Sequence, residues 1–271
     1  MNKILVTSAL CLASAATFAF NDAGRAVTPD RAIVAGVDAI RKNNLKGFLE
    51  ATFSREQMRE MEQAWNTKRK TKSNPIEDAQ FAETMQMLTA PGAEAQLMAM
   101  VEPKLEEMRP QMGMLVGMMS GFAQSTVDQN ADLSSDEKKQ AQQVLAGFVK
   151  ALQENDLTSS DLARKAVGIV CKTARRLKLD SMDDVRALDF RHAVYKGDVI
   201  LRGTKELLAV YGFTVDKWLD SVKAETIDED GDEAVVRVSY EMFGVQQTVD
   251  TEMVRVDGRW IHKENGASES D

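Results

Sequence analysis

The chain has 271 residues, 44% of them hydrophobic, and sets 42 acidic side chains against 34 Lys and Arg for a formal charge of −8. That acidic balance argues against a nucleic-acid partner, while the apolar share suffices for a packed core in one large or two modest domains. With only Cys11 and Cys171, a disulfide framework is excluded.

Residues 1–19 read as a secretory signal peptide. Lys3 precedes an apolar run, and Ala13-Ser14-Ala15 or Thr17-Phe18-Ala19 offers the small residues that signal peptidase needs. The run is short for a membrane anchor. Lipidation through Cys11 is disfavoured by the bulky Leu10 before it. No later stretch is long enough to span a bilayer, so a soluble periplasmic or secreted product is expected. Cleavage would remove Lys3 and Cys11, taking the charge from −8 to −9 and leaving Cys171 as the sole thiol. Set among Val167, Ile169 and Val170, that thiol is expected to be buried and inert.

Residues 20–155 are expected to be helical. Thr28-Pro29-Asp30 is a helix start, followed by Ile33, Val37 and Ile40 at helical spacing. Leu45, Phe48 and Leu49 suggest a short second helix, and Ser54-x-x-Gln57 a capping box for the third. Asn74-Pro75 opens another, which Pro91-Gly92 breaks. Ser134-x-x-Glu137 and Thr158-x-x-Asp161 start two more, and Ser181 caps a short one. A helix over 189–211 is expected to be interrupted at Gly197-Asp198, and Thr214 to cap the last one.

From there the pattern changes to two-residue alternation. Ala234, Val236, Val238, Tyr240 and Met242 share one face, Val235, Arg237, Ser239 and Glu241 the other. Asp230-Gly231, Phe243-Gly244 and Asp257-Gly258 mark tight turns, with positive φ expected at both central positions. Four strands follow, at about 222–229, 233–242, 245–256 and 259–263, with a bulge or change of face near Met253-Val254. Helices first and sheet last give an α+β fold: a helical region over 20–155, an α+β region over 156–265 and a disordered tail over 266–271.

Residues 112–122, MGMLVGMMSGF, are the most unusual segment. Gly113, Gly117 and Gly121 form a bare helical stripe flanked by Met114 and Met118. Each glycine costs about 1 kcal/mol against alanine inside a helix, so three in register suggest close approach of another backbone. Either a helical hairpin buried within the monomer or a seam for a homodimer or an envelope protein partner would use such a stripe. Pro103 and Pro110 are expected to kink the helix leading into it.

Nine methionines fall between Met85 and Met119, a density that in an exported protein raises Cu(I) thioether binding. On a helix, however, residues two apart point to different sides, so core filling is the better reading and no metal ligand is assigned. The acidic run from Asp228 to Glu233 has its glycine at the wrong position for a calcium loop. His192 and His262 have no zinc spacing, and no G-x-S-x-G elbow, phosphate-binding glycine loop or Cys-x-x-Cys occurs. No catalytic residue and no cofactor is therefore assigned, and a non-enzymatic role is favoured over a small-molecule enzyme.

The closing strands, ending Val256-Asp257-Gly258-Arg259-Trp260-Ile261, resemble the cystatin-like α+β superfamily, which includes nuclear-transport-factor-like, ketosteroid-isomerase-like and exported lumazine-binding-type domains. The resemblance covers about residues 156–264. It implies a pocket for an apolar small ligand between a curved sheet and the helices. Tyr211, Trp218, Tyr240, Met253 and Trp260 would line it.

Overall fold

A computed structural model describes residues 28–71, 74–131 and 133–263; the expected signal peptide and tail lie outside them. The order is helices then sheet: α1 (Pro29–Arg41), α2 (Leu45–Thr52), α3 (Arg55–Lys68), α4 (Pro75–Thr89), α5 (Ala93–Met108), a 3-10 turn (Arg109–Gln111), α6 (Met112–Gln129), α7 (Ser135–Glu154), α8 (Ser160–Leu177), α9 (Met182–Ala187), α10 (Phe190–Val210) and α11 (Val215–Asp220). The strands are β1 (Lys223–Asp230), β2 (Glu233–Met242), β3 (Val245–Val256) and β4 (Arg259–His262). They form one antiparallel meander in the order β1-β2-β3-β4. The α+β arrangement is the expected one.

Local chemistry explains most boundaries. Ser54 with Gln57, Ser134 with Glu137, and Ser181 with Asp184 form reciprocal capping boxes, each satisfying two backbone donors that a helix start leaves open. Three caps differ from expectation. Ser159, not Thr158, accepts from the Leu162 N–H at the start of α8; Thr158 is buried, and its hydroxyl donates to Asp156 at 2.7 Å. Thr28 and Thr214 precede their helices without a side-chain cap bond.

Gly197-Asp198 does not interrupt α10. A Cβ at Gly197 would lie 2.3 Å from Leu45 Cδ2, and the Asp198 carboxylate accepts from the Leu45 N–H at 2.6 Å. The pair is a docking site for the start of α2. A missing side chain makes room there and a carboxylate caps the incoming helix.

The sheet core is built from one face of β2. Ala234, Val236, Val238, Tyr240 and Met242 cluster with Met253, Trp260 and with Ala32 and Ile33 of α1. An N-terminal helix thus completes the core of the C-terminal sheet. The Asp30 N–H donates to Thr226 Oγ1 at 3.3 Å and fixes where α1 enters. At the other end of α1, the buried Lys205 ammonium donates to the Ile40 and Arg41 carbonyls at 3.2 and 3.0 Å, satisfying acceptors that a helix end leaves open. Of the two features expected near Met253-Val254, the bulge is absent, since β2 and β3 pair continuously from Glu233↔Val254 to Met242↔Val245, whereas the alternation of burial does give way after Met253 to intermediate depth at Val254, Arg255 and Val256. The irregularity lies in β1, between Thr226 and Asp228, where the strand runs into an acidic edge that needs little packing. Both central residues have positive φ at Phe243-Gly244 and Asp257-Gly258, but only Gly231 does in the first turn.

Behind this layer, α8 and α10 cross at Gly203 and carry α4 and α5 on the far side of α8. Cys171 is fully buried there, and burial pushes its thiol up from the ordinary cysteine value. Arg175 pins the α4–α5 joint, reaching Glu94 at 2.5 and 2.9 Å and the Ala90 carbonyl at 3.4 Å. The hydrogen bond from Arg175 lowers the Glu94 carboxyl to about 2. A depressed carboxyl stabilises the fold fully above its unfolded value, and that stabilisation is lost as pH falls through the folded value. Denaturation of wild type and Glu94→Gln is therefore expected to converge as pH drops from about 4.5 towards 2. A constant difference over that range would contradict the pairing.

Candidate functional site

α6 and α7 form a helical hairpin that projects from the body. Within it α6 lies against α7, while α7 also touches β3. The hairpin is closed at its tip, where Lys138 Nζ donates to the Asp128 carbonyl at 2.9 Å and the Gln142 amide to the Asp128 carboxylate at 2.6 Å. At its root, Gly147 lets the β2–β3 turn approach: a Cβ there would meet Phe243 Cβ at 2.7 Å and the Phe243 carbonyl oxygen at 2.9 Å. Phe243 stacks against Phe148 of α7 (centroids 5.4 Å apart), Phe213 (5.9 Å) and Trp218 (5.0 Å). This four-ring joint welds arm, helices and sheet together, each ring pair contributing about 0.5–1.5 kcal/mol beyond area burial. Sequence reasoning placed Trp218 in an expected pocket and Phe243 in a turn but did not bring the four rings together; Phe148, Phe213 and Phe243 are far apart in the chain and carry no common motif.

The inner face of α6 is set by Val116, which is buried, with Met112, Leu115, Ala123 and Val127 beside it at intermediate depth. On the opposite side stand the glycines. Among the described residues, no atom beyond the helix's own local backbone lies within 4 Å of a Cβ built at Gly113, Gly117 or Gly121. The stripe therefore looks out of the molecule rather than onto α7, as a buried hairpin would have required. Beside it run Met114, Met118 and Phe122, four residues apart, with relative exposures of 68%, 64% and 70%; Met119 is 66% exposed. Phe122 and Met119 were missed by sequence reasoning, although Phe122 continues the four-residue spacing of Met114 and Met118. The surface is a groove of glycines next to a ridge of large apolar side chains. No ionisable side chain occurs between Arg109 and Asp128, so the face carries no charge at any pH.

Proline shapes the approach. Pro103 lies inside α5 and Pro110 in the 3-10 turn before α6. A proline removes one helical hydrogen bond; α5 runs on through Pro103, while at Pro110 the α-helical pattern gives way to the 3-10 turn before α6.

The five expected pocket residues fall into two groups. Tyr240, Met253 and Trp260 are 6%, 1% and 4% exposed and pack in the sheet core. Tyr211 ends α10 and Trp218 packs against the core cluster, both at intermediate depth. Burial raises the pKa of Tyr211 and of Tyr240. The Arg255 guanidinium lies over the Trp260 ring, 4.5 Å from its centroid.

The methionine pairs divide as helical geometry demands. Met85 and Met98 are buried while Met87 and Met100, two residues on, are exposed. Among the described residues, no group of three or more His, Cys, Asp or Glu side chains is placed to hold a metal ion. His192 Nδ1 is 2.8 Å from Asp189 at the exposed start of α10. The acidic β1–β2 turn is a surface hairpin: Arg255 reaches Glu229 at 3.4 Å and Asp232 at 3.8 Å, and Lys263 reaches Glu233 at 3.4 Å. No helix among the described residues is long and apolar enough to cross a membrane.

No protein-family model, curated protein or solved structure matches the chain.

Proposed function

We propose that the chain is an exported, non-enzymatic binding protein of the cell envelope that engages a protein partner through the outer face of α6. The observation that carries this reading is the exposure of Met114, Met118 and Phe122, four residues apart on one uncharged helix face, with Met119 also exposed on the same helix. A contiguous apolar patch of this kind on a protein surface marks an interaction site. Methionine suits the role because its flexible thioether adapts to a partner's contours. Export rests on the signal-like residues 1–19, and the non-enzymatic reading on the lack of a catalytic motif in the sequence.

The glycines support the same reading energetically. Three of them inside a helix cost about 1 kcal/mol each relative to alanine, and nothing among the described residues comes close enough to need them. Their small size suits an occupant from outside the described residues. Hydrogen peroxide footprinting tests this. In dilute protein Met114, Met118 and Met119 are expected to oxidise ahead of the buried Met85, Met98 and Met253, and to be shielded once the face is occupied.

A further inference from the structure

Resting on that reading of the α6 face, we infer that its occupant is a second copy of this chain, held by a two-fold crossing of α6 on α6. The face is complementary to itself. The ridge Met114, Met118, Phe122 and the groove Gly113, Gly117, Gly121 have the same four-residue spacing on adjacent strips of one helix. A two-fold axis between two copies lays each ridge in the other's groove, and such rows cross at about −40 to −50°. An isologous contact needs this property, since one patch must serve both sides.

Charge points the same way. Two net-acidic copies repel wherever their acidic surfaces meet, and the stretch between Arg109 and Asp128 is free of charge. A lipid surface is the poorer occupant, because helices that lie on membranes carry Lys or Arg flanking the apolar face, and α6 has neither. A basic partner would find nothing to pair with on this face.

The area is adequate for a reversible dimer. The outer half of an 18-residue helix, about 27 Å long and about 11 Å across, presents roughly 450 Å². Two crossed copies bury at most about 900 Å², below the roughly 1,000 Å² of a stable specific interface, so the dimer is expected to be weak and to exchange with monomer.

Sedimentation velocity of the exported chain over a wide concentration range tests the inference. The wild type is expected to pass from monomer to dimer, and Gly117→Leu, which fills the groove, to raise Kd at least tenfold. Met118→Glu, which buries a charge in the seam, is expected to do the same. Both variants should keep the wild-type far-ultraviolet circular dichroism, since both sites face solvent in the monomer. A dimer indifferent to both substitutions would overturn the inference by placing the interface elsewhere. A wild-type monomer at every concentration would also overturn it, and peroxide footprinting would then separate two cases. If Met114, Met118 and Met119 are shielded in that monomer, the face is used by another occupant, including the chain's own N-terminal segment. If they oxidise freely at every concentration, the reading of the face falls as well.

Discussion

Trp260→Ala is expected to destabilise the protein by about 3–5 kcal/mol in chemical denaturation, the range for removing a large buried aromatic side chain. The indole is 4% exposed and packs with Val236, Val238 and Met253 in the sheet core. It also supports the Arg255 guanidinium over its face. Its removal leaves a void beneath β4, a strand of four residues otherwise held by its ladder to β3, by buried Ile261 and by Arg259 donating to the Glu50 and Phe53 carbonyls. Phe122→Ala is the matched control. That ring is equally apolar but 70% exposed, so the monomer should lose no more than about 0.5 kcal/mol. Equal losses from the two substitutions would mean that the core and the outer face had been assigned wrongly.

Gly203→Val is expected to cost about 1–3 kcal/mol or more by forcing α8 and α10 apart. A Cβ at Gly203 would sit 2.3 Å from Thr173 Oγ1, 2.7 Å from its Cγ2 and 3.1 Å from its Cβ. Rotating Thr173 only exchanges one branch for the other, so the backbone must give. The opposite sign is expected at Gly117, where Ala should stabilise the monomer by about 1 kcal/mol through helix propensity alone. Thermal unfolding of Gly203→Val and Gly117→Ala side by side reads both. A stabilised Gly203 variant would contradict the α8–α10 contact.

These pairs show what was legible in the amino-acid sequence and why the rest was not. The strands were, because alternation and turn residues are local: β2 and β3 begin and end where the pattern places them. Helix starts with a reciprocal capping box were equally legible, since both partners lie within four residues. What failed depended on distant neighbours. Gly197-Asp198 looks like an interruption until Leu45 is seen against it. Thr158 looks like a cap until Asp156 and burial claim it. The glycine stripe was visible as a stripe, but periodicity gives the angle between residues on a helix, not which way the helix is turned. Only the position of α7 determines that Val116 faces inward and Gly117 outward. The same limit hid the four-ring joint, whose members come from α7, the α10–α11 connection, α11 and a hairpin turn.

The most direct test of the outer face of α6 as the working surface is a peroxide pulse on the folded chain, read methionine by methionine across a dilution series. The expected result is fast oxidation of Met114, Met118 and Met119 in dilute protein, suppressed several-fold on concentration, with Met98 and Met253 slow throughout. Rates for the three outer methionines as slow as those of Met98 and Met253 in dilute protein, or fast and unchanged at every concentration, would contradict it.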